Sequence, residues 1–333
     1  MSTDNGSAVL KIENLQKYYP VTEGLLRRVT GQVRAVDGVS LEVFKGETLG
    51  LVGESGCGKT TLGKCIARLY KPTGGRLLLR DENEGMRDCL TLSKQESFEA
   101  RRRVQLVFQD PYAALNPVKN ILSAFDEPMR VHSMGEKEER LEAASHMMET
   151  VNLRPDYLYR FPHEFSGGQR QRICIAKALA MKPEIVICDE PVSALDVSIQ
   201  AQILNLMKDL QVEFGLTYVF IAHDLSVVHY MSDRIAVMYL GRIVELAGAN
   251  ALHEDCAHPY TEALLSAVPI PVIGARRERI VLKGDVPSPV DPPAGCRFHP
   301  RCSRCADICK IEEPPLRPLS SDPAHLVACH LSE

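Results

Sequence analysis

Residues 53–61 read "GESGCGKTT" and follow directly on the apolar run "ETLGLV". Gly53-x-x-x-x-Gly58-Lys59-Thr60 has the spacing of a phosphate-binding loop set between a strand and a helix. Glycines let the backbone turn so that successive N–H groups point inward at phosphate oxygens. The helix that follows adds its positive N-terminal end. Lys59 supplies a point charge for β- and γ-phosphates, and the Thr60 hydroxyl can sit on Mg²⁺. Gly53, Glu54, Ser55, Gly56, Cys57, Gly58, Lys59, Thr60 and Thr61 are therefore the expected nucleotide cradle. A plain glycine-rich turn needs none of these four fixed positions. The loop alone leaves kinase, GTPase and ATPase open.

Two further stretches narrow the choice. In "IVICDE" (185–190) an apolar strand ends in Asp189, a second anchor for Mg²⁺. Glu190 follows at once, placed as a general base for a water molecule. In "FSGGQ" (165–169) a serine and two glycines open the amphipathic helix "RQRICIAKALAM", with Ser166 as its cap. Two anion sites in one chain can hold two nucleotides. They can also be halves of one site, supplied by two subunits.

Composition agrees with a globular protein. The chain has 333 residues, enough for one large or two ordinary domains. Its net charge of −4 gives no strong field for nucleic acid, and none is expected as a partner. No apolar run approaches the ~20 residues of a membrane span. The opening "MSTDNGSAVLKIE" lacks a charged-then-apolar signal pattern and is expected to stay in the mature protein. Of eleven cysteines, Cys57, Cys65, Cys89, Cys174, Cys188 and Cys256 are scattered and read as reduced small hydrophobes. Cys296, Cys302, Cys305, Cys309 and Cys329 crowd the tail.

The period of the chain alternates between strand and helix. Residues 9–19 read as a strand and its exit, and 34–44 as a strand pair. "KTTLGKCIARLY" is a helix stopped by the turn signal Lys71-Pro72-Thr73-Gly74-Gly75. "VQLVF", "EIVIC", "YVFIA" and "RIAVMY" are apolar strands. Residues 119–181 have a helical period, and "SIQAQILNLMKDLQVEF" is a helix. Apolar strands alternating with helices predict an α/β fold with a parallel sheet covered on both faces. Beyond about 258 the proline density climbs, as in "VPIPV" and "VPSPVDPPAG". That part reads as a linker and a small appendage unable to build much core alone.

At this point the set resembles the nucleotide-binding subunit of an ABC transporter. Gly53–Thr60 resembles its Walker A motif, Ile185–Asp189 with Glu190 its Walker B, and "FSGGQ" its LSGGQ signature, with Phe165 where leucine is usual. "VFQDP" places Gln109 at the Q-loop, "SALD" (193–196) resembles the D-loop, and His223 in "IAHDLS" the H-loop. Tyr19 in "KYYP" sits where the family stacks an aromatic on adenine; Tyr18 is the alternative. The resemblance implies a P-loop NTPase (RecA-like) core over 1–257, with a helical subdomain inserted at about 112–181. It implies an ATPase whose two subunits pack head to tail. Ser166, Gly167, Gly168 and Gln169 of one would then face the γ-phosphate held by the other. Thr60, Gln109 and Asp189 would hold Mg²⁺, and Glu190 and His223 would handle the attacking water.

The rest of the chain resembles one branch of that family. "GLLRRVTGQVRAVDGVS", "VFQDPYAALNP", "HPYTEALLSAVP" and "GDVPSPVDPPAGCRFHPRC" are similar to the ATPase subunits of oligopeptide and dipeptide importers. The early insert looks like that of the second of their two ATPase subunits. The resemblance implies a heterodimer with a related ATPase, two membrane permeases, an extracytoplasmic substrate-binding protein, and a position at the cytoplasmic face of the membrane. Nickel importers of the same branch, and a soluble ABC ATPase without permease, are the alternatives. Residues 82–103 depart from the branch and are expected to enlarge a surface loop. Residues 258–333 would be the small Cys-rich extension. There Cys296, Cys302, Cys309 and Cys329 resemble a [4Fe–4S] ligand set. Cys305 adds a C-x-x-C spacing that suits zinc as well. His299 and His330 read as spectators.

Overall fold

The structure is a computed structural model that describes residues 7–24, 28–81, 85–268 and 279–332. The proline-rich stretch 269–278, the core of the "VPIPV" linker, lies outside the described residues. So do 25–27 of the early insert and 82–84.

The chain opens with a long antiparallel pair, β1 (Ala8–Glu23) and β2 (Arg28–Phe44), in register with Ile12 opposite Leu41 and Tyr19 opposite Val33. Residues 34–44 are thus the last eleven residues of a single 17-residue strand and not a strand pair. The described residues 28–38 of the early insert lie in β2. Next come β3 (Thr48–Val52), α1 (Lys59–Ile66), β4 (Gly74–Asp81) and β5 (Gly85–Asp88). The helix α1 ends earlier than "KTTLGKCIARLY" suggests, because Arg68 adopts φ 61° and breaks the repeat. Then α2 (Lys94–Arg103) leads into β6 (Val104–Val107). Residues 85–103 are therefore not an enlarged loop. Ser93 and Glu96 form a capping box on α2, and its Ala100 is buried.

Between β6 and the next strand the chain is helical: α3 (Pro111–Ala114), α4 (Ile121–Val131), α5 (Lys137–Thr150) and α6 (Gly167–Leu179). Then follow β7 (Ile185–Asp189), α7 (Val197–Phe214), β8 (Thr217–Ile221), α8 (Leu225–Met231), β9 (Arg234–Tyr239) and β10 (Arg242–Gly248). The chain continues with α9 (Ala249–Glu254), α10 (Pro259–Ser266) and two short strands, β11 (Arg317–Pro318) and β12 (Leu326–Val327).

Two sheets result. One is antiparallel, in the order β2-β1-β4-β5. The other runs β11-β12-β10-β9-β3-β8-β7-β6, and its stretch from β9 to β6 is parallel. Every residue of β3, β7 and β8 is buried, as parallel strands covered on both faces require. The helix α1 lies between the sheets. Its Leu62, Cys65 and Ile66 share one core with Leu10, Ile12 and Val39 of the first sheet and Leu51, Ile187 and Ile221 of the second. Gly63 permits that approach, since a Cβ there would lie 2.7 Å from Ile221 Cδ1. The opposite face of the parallel sheet is packed by α6, α7 and α8, and α4 and α5 pack on α6, with Phe125, Ile173, Ile203 and Met207 buried in the shared core.

The tail is knitted into the same body. Tyr260 of α10 is fully buried against Tyr239 and Phe298, with ring centroids at 4.7 and 5.4 Å. The strand β12 pairs with β10, Glu245 opposite Val327, and so continues the main sheet.

Candidate nucleotide site

In an open parallel sheet, ligands gather at the carboxyl ends of the strands. Here β3 runs into residues 53–61, β7 into Asp189 and Glu190, β8 into Ala222 and His223, and β6 into Phe108 and Gln109. Four parallel strands thus deliver four separate sequence motifs to one edge.

The loop after β3 is held open by three glycines with positive φ, Gly53, Gly56 and Gly58. Freedom of φ is only part of the requirement. A Cβ on Gly53 would lie 2.1 Å from Met238 O, and one on Gly58 would lie 2.0 Å from Ala35 O. Lys59 is buried, and its Nζ donates to Gly53 O at 2.7 Å and Glu54 O at 3.0 Å. The ammonium is therefore folded back across the loop, where a phosphate oxygen can replace a carbonyl as its partner. Burial pushes the Cys57 thiol up, and the nearby Lys59 ammonium opposes that rise. Ser55 and Gly56 are exposed at the rim.

The Thr60 hydroxyl donates to Asp189 Oδ1 at 2.8 Å, which joins the two expected Mg²⁺ anchors directly. Burial pushes the Asp189 carboxyl above its ordinary value, and the Thr60 hydrogen bond pulls it back. A hydroxyl and a buried carboxylate side by side are the oxygen donors that Mg²⁺ takes.

Glu190 adopts φ 48°, a left-handed conformation for a residue with a side chain. Such strain concentrates at functional sites. Its Oε2 accepts from Gln109 Nε2 at 2.8 Å and lies 3.4 Å from His223 Nδ1. Residues from β6, β7 and β8 thus meet at one carboxylate oxygen. A cavity of about 60 Å³ lies against Glu190, Ser193 and His223, room for a small number of waters. Ser193 donates to Glu190 O at 3.1 Å and anchors the turn behind it.

Tyr19 and Tyr18 point to different tasks. Burial raises the Tyr19 phenol and the adjacent Thr61 hydroxyl pulls it back, so Tyr19 lies beside the start of α1. Its ring meets Tyr70 edge-on at 6.2 Å. The Tyr18 hydroxyl instead donates to Asp37. Ser166 caps α6: its Oγ accepts from Gln169 N at 3.3 Å, and Gln169 Oε1 accepts from Ser166 N at 3.0 Å. Gly168 is needed for contact with α7, since a Cβ there would lie 2.7 Å from Ile199 Cγ2. Among the described residues no hydrogen bond joins 166–169 to 53–61.

Comparison with known proteins decides the family. A family model described as "ABC transporter" matches residues 36–193, and one described as "Oligopeptide/dipeptide transporter, C-terminal region" matches 244–309. The oligopeptide transport ATP-binding protein AppF of Bacillus subtilis is 51% identical over 99% of both chains. The chain belongs to the ABC transporter ATPase family. The dipeptide transport ATP-binding protein DppF of Haemophilus influenzae is 48% identical over 96% of this chain and of its own length. Among solved structures, a dimeric post-hydrolysis state of the ATP-binding cassette MJ0796 with ADP and phosphate is 30% identical. It covers 72% of this chain and 98% of its own, with a TM-score of 0.62.

The cassette's tail gathers its cysteines. Burial raises the Cys296 thiol to about 11, and neighbouring Cys309, Cys329 and Cys302 add to the rise. Burial likewise raises Cys302, with Cys329, Cys305 and Cys309 contributing. Cys296 N donates to Cys309 O at 2.8 Å. Cys305 Sγ donates to Ala306 O at 3.5 Å. Among the described residues no three His, Cys, Asp or Glu side chains are set to hold one metal ion. His299 and His330 bond to backbone oxygens, of Cys296 and Glu312.

Sequence reading missed a second set of functional candidates. Arg301 pairs with Glu54 of the phosphate loop, and Arg297 pairs with Asp37 and donates to Leu240 O. Nothing in "GCRFHPRC" announces a partner some 250 residues away.

Proposed function

We propose that this chain is the ATP-hydrolysing subunit that powers an importer of oligopeptides or dipeptides. One observation carries the substrate class: 51% identity to an oligopeptide transport ATP-binding protein along the whole chain, C-terminal region included. Its partners would be two membrane permeases and an extracytoplasmic peptide-binding protein. A second, related ATPase would complete a heterodimer. No helix among the described residues is long and apolar enough to cross a membrane, so attachment to the cytoplasmic face would run through the permeases.

The proposed site is shared. Tyr19 stacks the adenine, and residues Gly53–Thr61 wrap the phosphates with backbone N–H groups and the Lys59 ammonium. Thr60, Asp189 and Gln109 would hold Mg²⁺, which when bound neutralises charge on the β- and γ-phosphates. Ser166, Gly167, Gly168 and Gln169 of the partner subunit's equivalent surface would close over the γ-phosphate, with the unpaired N–H groups at the start of that helix as donors. Glu190 accepts a proton from the water whose oxygen attacks the γ-phosphorus. The β–γ bridging oxygen leaves with ADP. Gln109 and His223 orient Glu190 and the water. Closed and open dimers differ in ATP affinity, so hydrolysis converts one into the other.

Cys296, Cys302, Cys309 and Cys329 would hold a [4Fe–4S] cluster. What supports this reading is that Cys302, Cys309 and Cys329 all lie near Cys296, and a cubane takes one thiolate per iron. Zinc would need several donors converging on one ion.

Glu190→Gln is the test of the ATPase reading. The variant is expected to bind ATP like the wild type and to lose at least about 100-fold in turnover. It should also accumulate as a closed dimer in ATP on gel filtration. Turnover within about threefold of wild type removes Glu190 as the base.

A further inference from the structure

The second residue of the phosphate loop is held from the far end of the chain. Arg301 donates two parallel hydrogen bonds to the Glu54 carboxylate, Nη1 to Oε2 at 2.6 Å and Nη2 to Oε1 at 3.1 Å. The Arg301 side chain is 8% exposed and that of Glu54 28%. The backbone N–H of Glu54 donates to the Tyr260 hydroxyl at 2.8 Å. The Tyr239 ring lies 6.0 Å from Arg301 Cζ, and Phe298 packs edge-on against Tyr239 at 5.3 Å.

A second grip lies four residues earlier. Arg297 is buried, is paired with Asp37, and donates through Nη1 to Leu240 O at 2.5 Å. The next residue, Gly241, donates its N–H to Cys57 O inside the loop at 2.8 Å. Residues 297–301 therefore reach the loop at Glu54 directly and at Cys57 through the β9–β10 turn.

We propose that segment 297–301 is a strut that holds the phosphate loop in its ATP-binding shape, with Arg301 as a positioning residue acting through Glu54. The proposal rests on residues 53–61 being the ATP site. Two physical effects underlie it. A loop already held in its binding shape loses less freedom when the nucleotide arrives. A bare carboxylate at Glu54 would stand in the same loop as a polyanionic triphosphate, and the guanidinium neutralises it with matched, two-point geometry. Arg301 itself touches no reacting atom.

The test compares Mg-ATP binding and steady-state hydrolysis of the full chain with four variants, with melting temperature as the check on folding. Arg301→Met is expected to raise Kd and KM for ATP about tenfold while kcat stays within about twofold. Arg301→Lys should recover part of that affinity. Arg301→Met combined with Glu54→Gln should bind ATP no more weakly than Arg301→Met alone, because the two residues act as one unit. An affinity within about twofold of wild type for Arg301→Met overturns the strut, as do losses that multiply in the double variant. If Arg301→Met does not fold, Glu54→Gln alone decides. It removes the carboxylate that Arg301 grips, and an unchanged ATP affinity there overturns the proposal. A wild-type chain that binds no ATP would instead refute the site reading and not the strut.

Discussion

Glycine at 58 illustrates how a single residue carries two constraints. Its φ of 111° excludes side chains on conformational grounds, and the carbonyl of Ala35, 2.0 Å from any Cβ, excludes them on steric grounds. The first constraint is legible in the motif; the second belongs to β2, which passes over the loop. His258 is a residue of the opposite kind, with no signal in the sequence. It is 2% exposed, caps α10 by accepting from Tyr260 N at 3.1 Å, and has its imidazole held down at about 4 by burial, with nearby Glu245 opposing. In the unfolded chain it titrates near 6.5. Between these values the unfolded state takes up a proton that the folded state refuses. Stability is thus complete above pH 6.5 and falls as pH drops toward 4, by about 2 kcal/mol at pH 5. His258→Asn keeps a cap acceptor and should flatten the drop in urea midpoint between pH 7 and pH 5. Equal drops in the two proteins would exclude His258 as the cause.

At the scale of elements, β10 carries an anomaly. Its sequence "RIVELAG" places Glu245 in the centre of a buried strand, and the residue is 0% exposed. Its carboxylate accepts from Ala257 N at 2.6 Å, His258 N at 3.1 Å and His325 Nε2 at 2.7 Å. One side chain thus ties β10, the start of α10 and the approach to β12. Glu245→Ala strands two N–H groups and a buried histidine and should cost about 3–5 kcal/mol in chemical denaturation. A loss below about 1 kcal/mol would show that this network is dispensable. The strands β3, β7 and β8 were readable because burial on both faces imposes continuous apolar runs. The helix α2 was missed: residues 82–103 read as a surface loop, although Ser93-x-x-Glu96 is a capping box. Its charged surface, "KQESFEARRR", masked the one small face that it buries. The antiparallel sheet was half legible: β1 and β2 alternate, but their length comes from cross-strand pairing, which no local pattern encodes.

For the whole molecule the decisive feature is the union of the tail with the cassette. A proline-rich segment with few apolar residues looks incapable of much core of its own, and among the described residues it builds only a small cluster of Leu319, Val327 and Cys329. It borrows Tyr239 and the edge of β10 from the cassette and adds Tyr260, Phe298 and Val327. The four cysteines then sit on a platform that is already folded. Protein purified without oxygen is expected to carry about four iron and four acid-labile sulfide per chain. One zinc and no sulfide would replace the cluster by a structural zinc site. In the first case Cys→Ser at 296, 302, 309 or 329 should lower the iron content and the melting temperature together, since metal binding energy is folding energy.

The sequence alone determined the nucleotide chemistry. Phosphate recognition needs glycines, a lysine, a hydroxyl and a carboxylate at fixed short spacings, and short spacings survive in a linear text. The same holds for the buried parallel strands and the helices between them, which burial writes as period. Tertiary structure alone decided which distant side chains share a task. Arg301 with Glu54, Arg297 with Asp37, and His325 with Glu245 are separated by 247, 260 and 80 residues. The reason is physical: an ion pair is selected by distance in space, whereas propensity and periodicity act over one or two turns of chain. A charged residue therefore looks the same in sequence whether it faces water or, like Arg301, pairs with Glu54 at the other end of the chain.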